Sequence, residues 1–184
     1  VINITGPAII DEAAGTVSYE VTLSNPSSST VTVDYATADI DTTAGLDYTA
    51  ISGTLSFIPG VTSQTITVAI TDDSLFESAE DYSVNLSNPS NATINVGQVI
   101  TTITDNDTAP IAIVNPATVE EGGFLDMQVD LSNPSDSITT VSLTLADGSA
   151  TLGTDTTTPV QVSVDGGNTF TNVFVDSNGD FSVD

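Results

Sequence analysis

Carboxylates are the side chains of this sequence that could do chemistry, because they are the only charged side chains it contains. The chain has 25 Asp and Glu residues and no Lys, Arg or His among 184 residues, so its formal net charge is −25 at pH 7. Carboxylates that cluster without cationic side chains must repel one another, hold protons or bind cations. Nucleic acids are not expected as partners, because the sequence offers no basic patch.

The residue types that usually perform catalysis do not accompany these carboxylates. Without His, Lys, Arg or Cys, acid–base and nucleophilic chemistry would fall to the acids alone. Paired carboxylates can hydrolyse glycosides, but aromatic residues make up only 5% of the chain, so platforms for sugar stacking are scarce. We therefore expect a protein that is not an enzyme. Direct membrane insertion is not expected either, because no apolar run is long enough to span a bilayer.

The sequence repeats itself, which predicts two homologous domains. Residues 23–27 read LSNPS, and residues 131–135 read LSNPS again, 108 positions later. We place the domains at residues 1–109 and 110–184, and we expect the second to be an incomplete copy that lacks its last strands. The same offset aligns Glu12 with Glu120, Asp39 with Asp147, and Asp47 with Asp155.

Short stretches of alternating apolar and polar residues predict an all-β fold. The segment TVSYEVTL at residues 16–23 shows the alternation clearly, and β-branched residues suit a pleated surface. Seven strands in the first domain indicate an immunoglobulin-like antiparallel β-sandwich, and we expect the two domains to be tandem sandwiches stacked end to end. The predicted strands cover residues 2–10, 16–23, 30–38, 53–58, 64–71, 81–87 and 97–104.

The acids of the first domain segregate to one end of the predicted sandwich. If successive strands alternate in direction, the loops at residues 24–29, 59–63 and 88–96 share one end, and they contain no acid. Acids that only solvate turns or a salt-adapted surface would be scattered over both ends. Calcium accepts six to eight oxygen ligands in tolerant geometry, whereas zinc prefers His or Cys, so calcium is the expected ion. The acids at the other end are Asp11, Glu12, Asp39, Asp41, Asp47, Asp72, Asp73, Glu77, Glu80, Asp81, Asp105 and Asp107.

The first domain closely resembles the Calx-beta family in four segments: AGLDY (44–48), GTLSFIPG (53–60), ITVAITDDSLFESAEDYSVNLSNP (66–89) and ITDND (103–107). Family members include sodium–calcium exchangers and large bacterial surface adhesins. The resemblance implies an immunoglobulin-like fold with calcium held at one tip. By motif position it implies the ligands Glu12, Asp47, Asp72, Asp73, Glu77, Glu80, Asp105 and Asp107, together with the backbone carbonyl of Leu75.

One position departs from the exchanger pattern, which has three successive acids where this chain has Asp105, Asn106 and Asp107. Asn106 offers a carbonyl oxygen as a ligand, but one negative charge is lost. Fewer or weaker calcium sites than in the exchangers are therefore expected.

The repeat and the resemblance together predict a calcium-binding structural module of an extracellular, secreted or cell-surface adhesin or fibre. Calcium would stiffen the domain tip and the junction between domains. Two alternatives remain open: a regulatory calcium sensor of a larger membrane protein, and a filament subunit completed by a strand from a neighbour. The expected partners are neighbouring repeats of the same protein, identical subunits, and a cell-surface or glycan target.

Overall fold

A computed structural model describes the chain at residues 1–114, 128–144, 160–162, 171–173 and 180–183. The chain divides into two compact units, Val1–Ala109 and Pro110–Asp184. Apart from one short 3-10 helix, Glu12–Ala14, the regular elements of the described residues are all strands. The prediction of an all-β fold is therefore confirmed.

The first unit is a β-sandwich of two sheets. One sheet has the strand order β6-β3-β1-β8 and the other has the order β2-β9-β7-β4-β5. Neighbouring strands are antiparallel except in the pairs β1–β8 and β2–β9, which are parallel. The strands are β1 (Ile2–Thr5), β2 (Ile9–Asp11), β3 (Thr16–Leu23), β4 (Val31–Asp39), β5 (Ser52–Phe57), β6 (Ser63–Ala69), β7 (Glu80–Ser90), β8 (Ile94–Val96) and β9 (Gln98–Thr104).

The first strand predicted from the sequence, residues 2–10, is in fact divided between the two sheets. Gly6 and Pro7 separate β1 from β2, and Pro7 has no N–H to donate to a ladder. Gly6 lies against Tyr19, where an added Cβ would stand 2.2 Å from the ring atom Cδ1. A further strand, β8, lies within residues 88–96, which were predicted as a loop, and Gly97 separates it from β9. The expected count of seven strands is therefore wrong.

The passage of the chain from one sheet to the other, between β1 and β2, places the acidic residues. It places β2 alongside β9, with Asp11 opposite Thr104 at the end of the parallel pair. Because parallel strands end at the same edge, the segments that follow β2 and β9 leave the sandwich side by side. Those segments carry Glu12 on one side, and Asp105 and Asp107 on the other.

The core between the sheets contains a network of tyrosines. The hydroxyl of Tyr19 lies 2.7 Å from the hydroxyl of Tyr82 and 2.6 Å from Thr101 Oγ1, which links β3 to the opposite sheet. Tyr48 stacks on Tyr82 with ring centroids 4.5 Å apart. Buried hydroxyls that are paired in this way avoid a desolvation penalty and fix how the two sheets pack.

The second unit contains three described antiparallel pairs, β10–β11, β12–β15 and β13–β14. Its organisation as an incomplete sandwich, and the end-to-end stacking of the domains, stay predictions. Among the residues described, no helix has the length and apolar character needed to cross a bilayer. The strands are β10 (Ala112–Val114), β11 (Val129–Leu131), β12 (Val141–Thr144), β13 (Val160–Val162), β14 (Thr171–Val173) and β15 (Asp180–Val183).

Candidate metal centre

Three loop segments of the first unit meet at the end of the β2–β9 pair. The side-chain amide of Asn106 donates to Asp11 Oδ1 at 3.3 Å and to Asp72 Oδ1 at 3.2 Å. The backbone N–H of Glu77 donates to Asp105 Oδ2 at 3.1 Å. These contacts join the last residue of β2, the segment between β6 and β7, and the segment after β9.

The loop between β4 and β5 joins the same assembly through Asp47. Asp47 Oδ2 accepts a hydrogen bond from the backbone N–H of Thr43 at 2.5 Å. Its backbone carbonyl accepts from the N–H of Thr71 at 2.9 Å. Gly45 makes this tight loop possible, because its φ of 95° lies in the left-handed region that favours glycine.

A triad of carboxylates lies at the centre of the assembly. Glu12, Asp105 and Asp107 each offer an oxygen within 4.8 Å of the others. Glu12 is only 4% exposed and begins the short helix Glu12–Ala14, where Asp11 Oδ1 caps the turn by accepting from the N–H of Ala13 at 2.9 Å. Glu12 Oε1 and Asp107 Oδ2 are buried without a hydrogen-bond partner. A buried carboxylate oxygen that lacks a partner is costly, so these two atoms call for a positive ligand.

The electrostatics of the triad agree with this geometry. Burial raises the pKa of Glu12; a hydrogen bond from the Asn106 backbone partly offsets that rise, and the charges of Asp105, Asp107 and Asp73 add to it. Burial also raises the pKa of Asp107, and the nearby acids Asp105, Asp73 and Asp72 raise it further. Both shifts mean that the ionised forms are less favourable here than in water, and a bound cation would favour them.

The cleft beside the triad is small and lined largely by side chains that carry carboxylate oxygens. Its volume is about 10 Å³, which is close to the room that one water molecule needs and far below that of an organic ligand. Leu46, Thr71, Ser78 and Ile103 complete its walls. Hard cations such as calcium prefer this kind of donor set. The carboxylates that line the cleft belong to Glu12, Asp47, Asp73, Glu77, Glu80 and Asp105.

Six of the ten residues predicted as ligands line this cleft. Asp107 is not part of the lining but lies beside it in the triad, and the other three are placed differently. Asp72 faces the Asn106 amide and is not part of the cleft lining. Leu75 also lies outside the lining, and its backbone N–H donates to Asp73 Oδ1 at 2.7 Å. Asn106, predicted as an oxygen ligand, contacts the carboxylates of Asp11 and Asp72 through its amide nitrogen. The repeated acids of the second domain, Glu120, Asp147 and Asp155, lie outside the described residues.

Other acids at this end of the sandwich serve as hydrogen-bond acceptors for the fold. Tyr48 donates its hydroxyl to Asp39 Oδ1 at 2.6 Å. The backbone N–H of Asp81 donates to Asp41 Oδ1, and Thr102 donates its hydroxyl to Asp81 Oδ1 at 2.6 Å. The acids at this end of the sandwich therefore have two roles. Some line the cleft, whereas these three carboxylates are acceptors that hold the ends of β4, β7 and β9 together.

Fold and site together define a β-sandwich module with an acidic, oxygen-lined cleft at one end. The family model of the Calx-beta domain matches this chain twice, at residues 1–116 and 104–181. The chain belongs to the Calx-beta family.

Curated relatives of known name match a short part of the chain. It is 48% identical to sodium/calcium exchanger 1 of Canis lupus familiaris over 59 residues, which is 32% of this chain and 6% of the exchanger. It is 44% identical to human sodium/calcium exchanger 3 over 61 residues, which is 33% of this chain and 7% of that protein. The match therefore covers only a small fraction of the exchangers' own length.

Two solved structures share the fold. The apo-form Calx CBD1 domain is 30% identical with a TM-score of 0.54, covering 58% of this chain and 98% of that domain. The calcium binding domain CBD12 of CALX1.1 is 28% identical with a TM-score of 0.57, covering 67% of this chain and 54% of that protein.

Proposed function

We propose that the first domain binds calcium in its acidic cleft and acts as a non-catalytic, calcium-responsive module of a larger protein. The observation that carries this proposal is the pair of buried, partnerless oxygens, Glu12 Oε1 and Asp107 Oδ2. A cation between them would satisfy both atoms and neutralise the repulsion within the triad. Calcium suits the site better than magnesium, because magnesium demands a strict octahedron and gives up its water reluctantly.

Calcium would act by joining segments that otherwise repel one another. Glu12 follows β2, Glu77 precedes β7, and Asp105 and Asp107 follow β9, so one ion shared among them would tie three segments together. Residues 105–107 lead into the second unit, which begins at Pro110. Calcium binding would therefore fix the start of the connection between the units, and its loss would release that connection.

The relatives favour a sensor role. The matched curated proteins are sodium/calcium exchangers, and the similar CBD12 structure of CALX1.1 is a calcium binding domain. A sensor module in a larger membrane protein would bind calcium reversibly in the range of about 10⁻⁷–10⁻⁵ M, as sensor proteins do.

A second candidate is a structural module of an extracellular adhesin or fibre. The observation that favours it is the internal repeat in a chain of 184 residues without a single Lys or Arg, which suits a serial, strongly acidic surface protein. In that case neighbouring repeats or identical subunits would be the partners. Extracellular modules bind calcium at about 10⁻⁴–10⁻³ M, so affinity separates the two candidates.

Thermal unfolding of the full chain tests the proposal. The melting temperature should rise with calcium concentration over its value in EDTA, since a ligand that binds only the native state stabilises it by about 2.7 kcal/mol at 100 times Kd. Magnesium, and sodium chloride at matched ionic strength, should raise it much less.

Two substitutions provide the specificity control for this experiment. Asp107→Asn should remove most of the calcium-dependent rise. Asp34→Asn changes an acid whose carboxylate accepts from Thr54 and Asn88, away from the cleft, and should leave the rise intact. An equal rise with magnesium or plain salt, or an equal loss in both variants, would refute a specific calcium site.

A further inference from the structure

We propose that the side-chain amide of Asn106 takes the place of a cation between Asp11 and Asp72, so that this tip binds one calcium ion fewer than the same tip with an acid at position 106. The inference rests on the proposed calcium binding and concerns how many ions the tip accepts. It divides the acids into an inner group, Glu12, Asp105 and Asp107, which needs a cation, and an outer pair, Asp11 and Asp72, which the Asn106 amide satisfies.

The contacts of the outer pair define the role of Asn106. Its Nδ2 lies 3.3 Å from Asp11 Oδ1 and 3.2 Å from Asp72 Oδ1. An ionised carboxylate only accepts hydrogen bonds, and an amide nitrogen carries two N–H groups, so each carboxylate receives one of them. Such bonds to ionised acceptors are stronger than neutral ones. The amide therefore bridges two like charges that would otherwise repel.

Two oxygens of the inner group have no donor of any kind. Glu12 is 4% exposed, and its Oε1 and Asp107 Oδ2 have no hydrogen-bond partner. Asp11, in contrast, also accepts from the N–H of Ala13 at 2.9 Å. The need for a cation is thus confined to the inner oxygens, and a cation between the outer carboxylates would have to displace the amide.

Asn106 lies at the boundary of the two groups. Its backbone hydrogen-bonds toward Glu12 in the inner group, while its side chain serves the outer pair. Asn106→Asp keeps the shape of the side chain, removes both N–H groups and adds a third successive carboxylate. The outer acids then present only oxygens, which is the donor set that calcium binds.

The test counts calcium ions on the full chain by equilibrium dialysis and calorimetry. Asn106→Asp should bind one more calcium ion per chain than the natural sequence, and in EDTA its melting temperature should be lower because three carboxylates then repel. Asp72→Asn should bind the same number as the natural sequence, because Asp72 is held by the amide and not by an ion. Any calcium bound by the second domain cancels in these differences.

Two results would overturn the inference: an Asn106→Asp chain, folded in calcium, that binds no extra ion, or an Asp72→Asn chain that loses one. The Asp72→Asn arm decides the question even if Asn106→Asp does not fold. A natural chain that binds no calcium would instead refute the proposed function, so the two failures are distinguishable.

Discussion

Replacing Glu12 by Gln should stabilise the protein without calcium and weaken its response to calcium. Glu12 is 4% exposed, and its Oε1 is buried without a partner. Gln keeps the size of the side chain and removes the charge. It also supplies an N–H group that can donate to the carboxylates of Asp105 or Asp107, which lie within 4.8 Å. The same change removes a charged ligand for calcium.

The magnitude follows from the burial of the carboxylate. A buried polar group left unsatisfied costs about 1–3 kcal/mol, and partial relief of that penalty should raise the free energy of unfolding in EDTA by about 1 kcal/mol. For a domain of roughly 60–100 residues this corresponds to about 4–8 °C in melting temperature. In saturating calcium the sign should reverse, because the natural chain gains more from the ion than the variant does.

Differential scanning calorimetry in EDTA and in a calcium series measures both halves of this prediction. Glu20→Gln is the matched control, since Glu20 is exposed and its carboxylate accepts from Ser63 Oγ at 2.7 Å on the outer surface of the sandwich. That variant should respond to calcium as the natural chain does. A Glu12→Gln variant destabilised equally in EDTA and in calcium would show that the carboxylate is an ordinary structural acceptor.

Three further predictions concern the tyrosine network. Tyr19→Phe removes the hydroxyl that contacts Tyr82 and Thr101, so chemical denaturation should show a loss of about 1–3 kcal/mol with unchanged calcium affinity. Asp39→Asn weakens the hydrogen bond from Tyr48 and should lower the melting temperature equally in EDTA and calcium, whereas an effect confined to calcium would make Asp39 a ligand. Burial raises the pKa of Tyr48 from 10.0 to about 12. The stability that the protonated Tyr48 hydroxyl contributes is therefore present below pH 10 and lost as the pH rises toward about 12. Melting curves over that pH interval measure the loss.

The strands were largely predictable because their signals are local. The alternation in residues 16–23 predicts β3 with the bounds that it has, Thr16–Leu23. The break at Gly6 and Pro7 also has a local signal, but the sheet that each half joins depends on pairing with β8 and β9, which are far away in sequence. Tyr48 lies in a loop without periodicity, so its burial against Tyr82 was not predictable.

The site was predictable in position and less so in detail. Alternating strand directions place Glu12 and Asp105 at one end, and the structure has both in the triad. The sequence does not distinguish acids of the cleft from acids such as Asp39 and Asp81, because that depends on where the hydroxyls of Tyr48 and Thr102 lie. The donor role of the Asn106 amide likewise depends on side-chain geometry that spacing does not encode.

A crystal structure of the full chain grown in calcium tests the central claim most directly. We predict a calcium ion within about 2.3–2.6 Å of both Glu12 Oε1 and Asp107 Oδ2, identified by its anomalous scattering. Ordered density at this tip in which those two oxygens contact only water, or calcium bound solely to acids outside the cleft, would contradict the account.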